Sequence, residues 1–328
     1  MTTTTVNPVL LLTAVVRRVE RLSPSFVRIR FGGHGFVHLG PEGPTLDQRV
    51  KLLIPTPGRA VASTLLEPEG WYAAWLALPE ADRGHIRTYT ARAVEGEGCE
   101  RQLVVDFVLH GHGGSGAHGA AAGPAGTWAA GASVGDEIGV LAPRRGHERA
   151  FGGIEFDPGV ARRLVLVADE TALPALASIV ESLPPDTRGV AVMEVPDATD
   201  FLDVRFPVGI ERHWIARGSR PRGEHTLALL REWLHLQPDE RAVADATSLG
   251  PFADLDDDVW ETPVYSSSGD DIAAVGRARP APGDGDTYAW VAGDADTVKA
   301  CRRLLVGEGG MPRAQVAFMG YWKQGRAS

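Results

Sequence analysis

The segment 87–92 (RTYTAR) has the side chains to hold a flat, phosphorylated ring compound. On a β-strand, alternate residues face the same side, so Arg87 and Tyr89 share one face while Thr88 and Thr90 share the other. A guanidinium binds phosphate, and a phenol ring packs on a heterocycle. The same residues are compatible with an ordinary strand that has surface arginines. This segment alone therefore does not decide between a binding site and a purely structural strand.

Two further segments have the pattern of an anion or nucleotide site. Residues 123–128 (GPAGTW) are typical of a turn that opens a helix, where free backbone N–H groups face an anion. Residues 168–174 (ADETALP) follow an apolar strand, at the edge where open parallel sheets bind ligands. Two acids there, Asp169 and Glu170, would repel a pyrophosphate, and Asp169 fits equally well as an N-cap with Thr171 beginning the helix. Spacing alone favours neither interpretation.

The stretch 193–197 (MEVPD) ends the second apolar strand of the same half. An acid at this place binds the adenosine 2′-hydroxyl and disfavours a 2′-phosphate. The basic residues that NADPH would prefer are not evident nearby before Arg205. If the site takes a nicotinamide nucleotide, the pattern leans towards NADH without deciding between NADH and NADPH.

The elements that must position these segments differ between the two halves of the 328-residue chain. In the first half, short apolar or alternating runs between Gly and Pro clusters predict six strands of a small antiparallel barrel or sandwich. These predicted strands are 9–18, 25–31, 49–55, 87–94, 102–110 and 136–141. Residues 111–123 are rich in Gly and His and predict a mobile loop.

From about residue 150, continuous apolar runs alternate with helical spacing, which predicts a parallel sheet with helices on both faces. The predicted strands are 163–168, 189–195, 210–216 and 287–292, and the predicted helices are 171–183, 225–236 and 294–306. Residues 239–286 predict mostly loop. The change of pattern predicts two domains, 8–150 and 155–328.

Composition narrows the classes of function. Asp and Glu number 42 against 33 Lys and Arg, a net charge of −9, so nucleic-acid binding is disfavoured and an anionic ligand needs a local positive cluster. The two cysteines, Cys99 and Cys301, exclude a four-Cys iron–sulfur cluster, and the histidines of the Gly-rich loop lack the fixed geometry of a metal site. No early apolar run has the length of a membrane span or the flanks of a signal peptide. We therefore expect a cytoplasmic protein with no metal centre and no stable membrane insertion.

Taken together and in order, these segments resemble the siderophore-interacting proteins, flavin-dependent ferric-siderophore reductases of the ferredoxin-reductase superfamily. Besides the R-x-Y-T-x-R segment, the resemblance runs from about residue 10 to 325. It is carried by 50–55 (VKLLIP), 106–111 (DFVLHG), 123–129 (GPAGTWA), 168–174 (ADETALP), 288–293 (YAWVAG) and 320–323 (GYWK). Each segment is weak by itself, and the set is specific.

The resemblance implies an N-terminal antiparallel β-barrel that binds FAD and a C-terminal α/β parallel-sheet domain that binds NADH or NADPH. Arg87 would hold the FAD phosphates and Tyr89 would pack along the isoalloxazine. Thr90, the predicted catalytic residue, would place its hydroxyl near N5, the atom that receives the hydride. The other predicted FAD-binding residues are Asp106, His110, Gly123, Ala125, Gly126 and Trp128. The predicted nicotinamide-nucleotide residues are Asp169, Thr171, Ala172 and Gly293.

Two features depart from the family pattern. Gly126 stands where the family often has a hydroxyl residue, which keeps backbone donors and loses a side-chain donor. The Gly/His-rich stretch after Gly111 is longer than usual. The pyrophosphate contacts are therefore the least closely specified part of the predicted site.

Lys51 and Lys323 match family positions near the open face of the flavin, although each is also compatible with an ordinary solvated lysine. Two ammonium groups at one cleft would attract an anionic ferric siderophore. The expected activity is reduction of FAD by NAD(P)H, followed by single-electron transfer to siderophore-bound Fe(III), in a protein that we expect to be a monomer. Two alternatives stay open: a general NAD(P)H–flavin oxidoreductase for another acceptor, and a siderophore-binding module without turnover.

Overall fold

The computed structural model describes residues 6–59, 70–109, 123–236, 259–262, 265–266 and 287–323. The chain forms two compact units. The first comprises the chain up to Ile154 together with Ala177–Ser182 and Leu202–Val204, and the second comprises the remainder. Each unit contains one seven-stranded sheet. The domain boundaries 8–150 and 155–328 stay a prediction.

The sheet of the first unit is antiparallel, as the alternating runs predict. Its strands are β1 (Val9–Arg21), β2 (Phe26–Gly32), β3 (Arg49–Ile54), β4 (His85–Thr90), β5 (Ala93–Glu95), β6 (Gln102–Val108) and β7 (Glu137–Pro143). Their order across the sheet is β4-β3-β7-β1-β2-β6-β5. Alternate side chains, among them Phe31, Leu52 and Phe107, are fully buried in one core on the inner face.

The first sheet curls until its two edge strands approach each other. β4 and β5 are at opposite ends of the strand order, although only Ala91 and Arg92 separate them in the chain. The N–H of Ala91 donates to the carbonyl of Gln48 beside β3, and the N–H of Arg92 donates to the carbonyl of Val104 on β6. The single strand predicted over 87–94 is therefore two strands. The predicted barrel is a half-barrel whose hydrogen-bond ladder stays open between β4 and β5.

Four short helices complete the described part of the first unit: α1 (Trp71–Ala77), α2 (Glu80–Arg83), α3 (Pro124–Gly131) and α4 (Glu148–Phe151). The turn predicted over 123–128 does open a helix, α3. The other three are too short for helical periodicity to mark them in the sequence. His110 and the predicted mobile loop lie outside the described residues, apart from Gly123 at the loop's end.

The sheet of the second unit is mostly parallel, which confirms the prediction for this half. Its strands are β8 (Arg163–Asp169), β9 (Arg188–Val195), β10 (Gly209–Ala216), β11 (Trp260–Thr262), β12 (Tyr265–Ser266), β13 (Thr287–Asp294) and β14 (Val316–Trp322). The order is β10-β9-β8-β13-β14-β11-β12. The pairs from β10 to β14 are parallel, and β11 and β12 add an antiparallel edge within the stretch predicted as loop.

Helices α5 (Leu173–Ser182), α6 (Glu224–Trp233) and α7 (Ala295–Arg302) belong to this half, and α7 continues into a π-helical turn, Arg303–Glu308. Val165 and Val167 of β8 share a buried cluster with Leu230 of α6. Leu164 and Leu166, which point to the opposite face, are buried as completely. The continuous apolar run of β8 is thus explained by burial on both faces.

The order of the strands reverses at β8. Along the chain, β9 and β10 add to one side of β8, whereas β13 and β14 return to the other side. The carboxyl ends of β8 and β13 therefore flank a topological switch point, where open α/β sheets bind ligands. Asp169 ends β8 and Asp294 ends β13, so the predicted nucleotide segments meet at this edge.

Candidate functional site

The hairpin of β3 and β4 carries the predicted flavin residues. Its register opposes Lys51 to Thr88 and Leu52 to Arg87. Directly opposed residues of an antiparallel pair share a face, so Lys51 and Arg87 lie on opposite faces of the hairpin. Arg87 is on the side of the buried Leu52, and Lys51 is exposed with its Nζ donating to the Thr88 hydroxyl at 3.3 Å. Partial desolvation and the neighbouring charge of Arg49 lower the pKa of Lys51.

Tyr89 ends a row of aromatic rings. Its ring centroid lies 4.6 Å from that of Phe107, which lies 5.9 Å from that of Trp128. Trp128 in turn stacks on Phe31 at 6.2 Å. Burial raises the pKa of Tyr89, so its phenol is neutral at physiological pH. The indole of Trp128, predicted to bind the cofactor, packs α3 onto the sheet.

Arg87 carries a half-buried guanidinium that is not committed to a carboxylate among the described residues. The guanidinium donates to the carbonyl of Ile86 at 2.8 Å. Helix α3 contacts β4, the strand of Arg87, and begins after Gly123 without a side-chain cap. The first N–H groups of a helix have no intrahelical acceptor. A guanidinium and a helix start on neighbouring elements are the donor set that a diphosphate requires, so these residues fit FAD.

Gly126 allows α3 to lie close to β6. A Cβ at this position would stand 3.3 Å from the carbonyl oxygen of Val108, tighter than ordinary contact. Gly126 and Ala125 are both buried. The departure from the family's hydroxyl residue therefore coincides with a close helix–strand approach.

Two other predicted residues of the first unit have clear surroundings. Asp106 is buried, and its two oxygens accept from Arg28 at 2.6 and 2.7 Å, which raises the pKa of Arg28. The Asp106 carboxylate is thus engaged in an ion pair between β2 and β6. Thr90 is buried at the last position of β4, where the chain crosses to the other edge of the sheet. The contact of both residues with FAD stays a prediction.

In the second unit, Asp169 gathers five donors at the switch point. Its Oδ1 accepts from the N–H of Thr171 at 2.8 Å, the hydroxyl of Thr171 at 2.6 Å and the N–H of Ala172 at 3.2 Å. Its Oδ2 accepts from the N–H of Asp294 at 2.8 Å and from Nε1 of Trp322 at 2.8 Å. The contacts with Thr171 and Ala172 have the geometry of an N-cap on α5. Asp169 and Thr171, both predicted to contact a nucleotide, thus bind each other.

Gly293 makes this arrangement possible. Its φ of +145° lies in a region that other residues rarely adopt, and a Cβ there would stand 2.6 Å from Cγ of Asp169. The carboxylate therefore rests against the backbone of the turn. The sequence placed both residues at one edge, and the structure brings them into contact.

Glu170 forms a buried ion network that sequence reasoning missed. It accepts from Arg217 at 3.0 and 3.1 Å and from Arg222 at 2.9 Å. Burial alone would raise the pKa of Glu170, but the two guanidinium groups hold it below its ordinary value. Arg222 also lies over Trp322, 4.6 Å from the ring centroid. The sequence feature that could have indicated this network is the basic segment 217–222 (RGSRPR), which follows the third strand of this half.

Of the two acids in 193–197, the structure engages Glu194 and leaves Asp197 exposed. Glu194 is buried and accepts from the N–H of Gly223 at 3.1 Å and the hydroxyl of Thr226 at 3.0 Å, so it is not available to a ribose. Arg205 is the first basic residue after this stretch in the sequence, but in the structure Arg217 also lies near Glu194, at 3.4 Å. The N–H of Arg217 donates to the carbonyl of Val195, which brings the basic segment beside the end of β9.

A small cavity lies at the same edge of the sheet. Its volume is about 10 Å³, and it is lined among others by Asp169, Glu194, Arg222 and Asp294. This is room for about one water molecule, so the cavity is not itself a nucleotide site. Lys323 follows β14 and is half-buried. Its approach to Lys51 stays a prediction.

A curled antiparallel sheet followed by a mostly parallel α/β sheet is a ferredoxin-reductase-like fold. The ferredoxin reductase of carbazole 1,9a-dioxygenase has this fold, with a TM-score of 0.54 and 13% identity, covering 96% of this chain and 70% of that one. The chain belongs to the siderophore-interacting protein family. The family's profile matches residues 161–325, and the profile of the siderophore-interacting FAD-binding domain matches residues 15–147.

Individual relatives agree with this family. A siderophore utilization protein from T. fusca superposes with a TM-score of 0.61 and 27% identity, covering 98% of this chain and 95% of that one. Ferric vibriobactin reductase ViuB of Vibrio cholerae is 25% identical over 94% of this chain and 92% of its own. An uncharacterized protein of Mycobacterium tuberculosis is 34% identical over 61% of this chain. That match spans 63% of the mycobacterial protein's length, less than two thirds.

None of the helices in the described part of the chain has the length and apolarity that crossing a membrane requires.

Proposed function

We propose that the chain is an NAD(P)H-dependent ferric-siderophore reductase with FAD as its cofactor. The observation that carries the proposal is the pairing of the uncommitted Arg87 guanidinium with the uncapped start of α3. These two donors suit the diphosphate of FAD. The second unit adds a switch-point edge of the kind that binds nucleotides, which suits NAD(P)H.

The reaction balances as one NAD(P)H and two Fe(III) giving NAD(P)⁺, two Fe(II) and one proton. FAD supplies the conversion of a two-electron donor into single electrons. Fe(II) binds the oxygen donors of siderophores less tightly than Fe(III), so reduction releases the iron. Substrate identity is supported by the relatives, since ViuB is named a ferric vibriobactin reductase and the T. fusca protein serves siderophore utilization.

The residues of the first unit would bind and orient the cofactor. Arg87 and the first N–H groups of α3 would neutralise its phosphates. Tyr89, neutral and packed on Phe107, would offer a fixed ring surface, and the Thr90 hydroxyl would donate at the reacting edge. The exposed ammonium of Lys51 would attract an anionic iron complex.

An anaerobic titration tests the proposal and separates its two rivals. The purified protein should release FAD on heating, and NADH or NADPH should bleach its flavin absorbance. A ferric siderophore should then restore the absorbance while a ferrous chelator traps Fe(II). The matching gallium(III) siderophore, which cannot accept an electron, is the control and should restore nothing.

Other outcomes of the titration would support one of the two alternative functions. Bleaching by NAD(P)H that no ferric siderophore reverses would make the chain a flavin oxidoreductase for another acceptor. Siderophore binding without bound flavin, or with flavin that neither nucleotide reduces, would make it a binding module.

A further inference from the structure

Trp322, the last residue of β14, is held by two acids at the end of β8. Asp169 binds the edge of its indole directly, and Glu170 binds the arginine that covers one face of the ring. Nε1 of Trp322 donates to Asp169 Oδ2 at 2.8 Å. The guanidinium of Arg222 covers the ring at 4.6 Å from the centroid, and Arg222 is itself bound to Glu170 at 2.9 Å. The position of the indole is therefore set by β8, which is 153 residues away in the chain.

Asp169 has no acceptor left for a nucleotide. A carboxylate offers about four lone-pair sites, and five protein donors already use them. Its effect on a ligand must therefore pass through the groups that it holds. Two of these come from other strands, namely the N–H of Asp294 and the indole of Trp322.

The backbone is adapted to this contact. β13 and β14 pair in regular register up to Gly293 and Gly320, after which Asp294 opposes Trp322 with Tyr321 as the extra residue. Such an irregularity re-aims a side chain. Together with the missing Cβ of Gly293, it lets one carboxylate oxygen reach both donors.

We infer that Asp169 is a positioning residue of the nicotinamide-nucleotide site, which holds the Trp322 indole and the 293–294 turn in one arrangement at the switch point. The inference rests on the proposed function, because the nucleotide is what would meet this edge. Since Asp169 touches no reacting atom, its loss should weaken nucleotide binding more than it slows the chemistry. Trp322 should depend on Asp169 for its orientation.

The chain contains a matched control for this acid. Asp197 accepts from the N–H and hydroxyl of Thr199 at 2.9 and 2.7 Å, which repeats the local turn of Asp169 with Thr171. It lies at the end of the next strand, β9, and is exposed. Among the described residues, no donor from another strand reaches Asp197. Asp197→Asn therefore removes the charge of an acid that makes the same local turn as Asp169 but no contact with a second strand.

The test compares Asp169→Asn, Trp322→Phe and Asp197→Asn in the full-length, FAD-loaded protein. An amide in place of the carboxylate turns an N–H₂ group towards N–H donors, and phenylalanine removes only the indole donor while keeping a ring. We expect KM for NAD(P)H to rise about tenfold in the first two variants, with kcat within about twofold of wild type. Near-ultraviolet circular dichroism should lose the same indole band in Asp169→Asn as in Trp322→Phe. Asp197→Asn should keep the wild-type indole band.

Unchanged KM in both Asp169→Asn and Trp322→Phe, or an intact indole band in Asp169→Asn, overturns the inference. If Asp169→Asn does not fold, the KM of Trp322→Phe decides alone. A wild-type protein that oxidises neither NADH nor NADPH gives a different result, since it overturns the proposed function together with the positioning role that rests on it.

Discussion

The arginines of the first sheet have different roles, and their hydrogen-bond partners distinguish these roles. Arg28 is paired with Asp106, and Arg30 lies within 3.1–3.2 Å of Glu20 and Glu95. Arg87 donates to the backbone carbonyl of Ile86. A guanidinium without an acid keeps its charge available for an anion, whereas a paired one stabilises the sheet.

Replacing Arg87 should therefore weaken FAD binding. We expect Arg87→Ala to raise the dissociation constant for FAD about 10- to 100-fold, the cost of one charge-assisted contact with phosphate. Fluorescence titration of the apoprotein with FAD measures it. Arg30→Ala, which removes an arginine already paired with acids, should leave FAD affinity within about twofold. Equal losses in the two variants would mean that Arg87 has no special contact with the cofactor.

Asp169 should link folding stability to pH. Burial and the neighbouring charge of Glu170 raise the pKa of Asp169 from 3.8 to about 6, against the donors of Thr171 and Trp322. The folded chain then holds this proton more tightly than the unfolded chain. The contribution of Asp169 to stability is complete below about pH 4 and is lost as pH rises through about 6.

Urea unfolding of wild type and Asp169→Asn at pH 4 and pH 7, with saturating FAD, measures this linkage. The stability of wild type relative to the variant should fall between these pH values by on the order of 2 kcal/mol. Asp197→Asn should show the opposite sign, because hydrogen bonds from Thr199 lower the pKa of Asp197 and its contribution disappears as pH falls. A relative stability of Asp169→Asn that is the same at both pH values would contradict the prediction.

Among the secondary-structure elements, the hairpin of β3 and β4 is the one on which the candidate flavin site depends. It carries Lys51 and Arg87 on opposite faces, and its strands are joined by a long connection that contains α1 and α2. Gly84 ends this connection with a φ of +63°, directly against the carbonyl of Ile54. The return of the chain into β4 therefore requires a residue without a side chain.

Gly84→Ala and Gly70→Ala form a matched pair for this element. Both glycines have positive φ, but a Cβ at Gly84 would collide with the Ile54 carbonyl oxygen, whereas a Cβ at Gly70 would meet no atom of the described residues within 4 Å. We expect Gly70→Ala to cost about 1 kcal/mol of unfolding free energy, and Gly84→Ala to cost at least twice that and to weaken FAD binding. Thermal and urea unfolding measure the difference. Equal costs would show that the connection adapts to the added Cβ.

At the scale of the whole molecule, the charge balance makes local lysines important. The net charge is −9, so an anionic iron complex is repelled on approach except where a positive group is exposed. The sequence contains only three lysines, Lys51, Lys299 and Lys323. Two of them are the predicted substrate residues, and the third lies in α7.

Lys299→Ala is therefore the control for the other two lysines. Lys51→Ala and Lys323→Ala should each weaken binding of an anionic ferric siderophore by about 1 kcal/mol or less, with a larger loss at low salt. Flavin reduction by NAD(P)H should hardly change. Quenching of flavin fluorescence by the iron complex at two salt concentrations measures the effect. Slower flavin reduction with untouched siderophore turnover would assign both lysines to the nucleotide site.

Most strands of the two sheets were predictable from the sequence, because alternation and continuous apolar runs reflect burial on one face or on two. The sequence also indicated the family, through short motifs in a fixed order. It missed β14 as a strand, the edge strands β11 and β12, and the break at Ala91, since pairing partners decide these features and they lie far away in the chain.

The tertiary structure decided the roles within the sites. Asp169 receives donors from Asp294 and Trp322, which follow it by 125 and 153 residues, and Glu170 meets Arg217 after 47 residues. Local spacing reports the periodicity of one segment and contains no record of such distant hydrogen bonds. The sequence therefore marked Asp169 as a site residue, and only the packing of three strand ends showed that its carboxylate is filled by the protein itself.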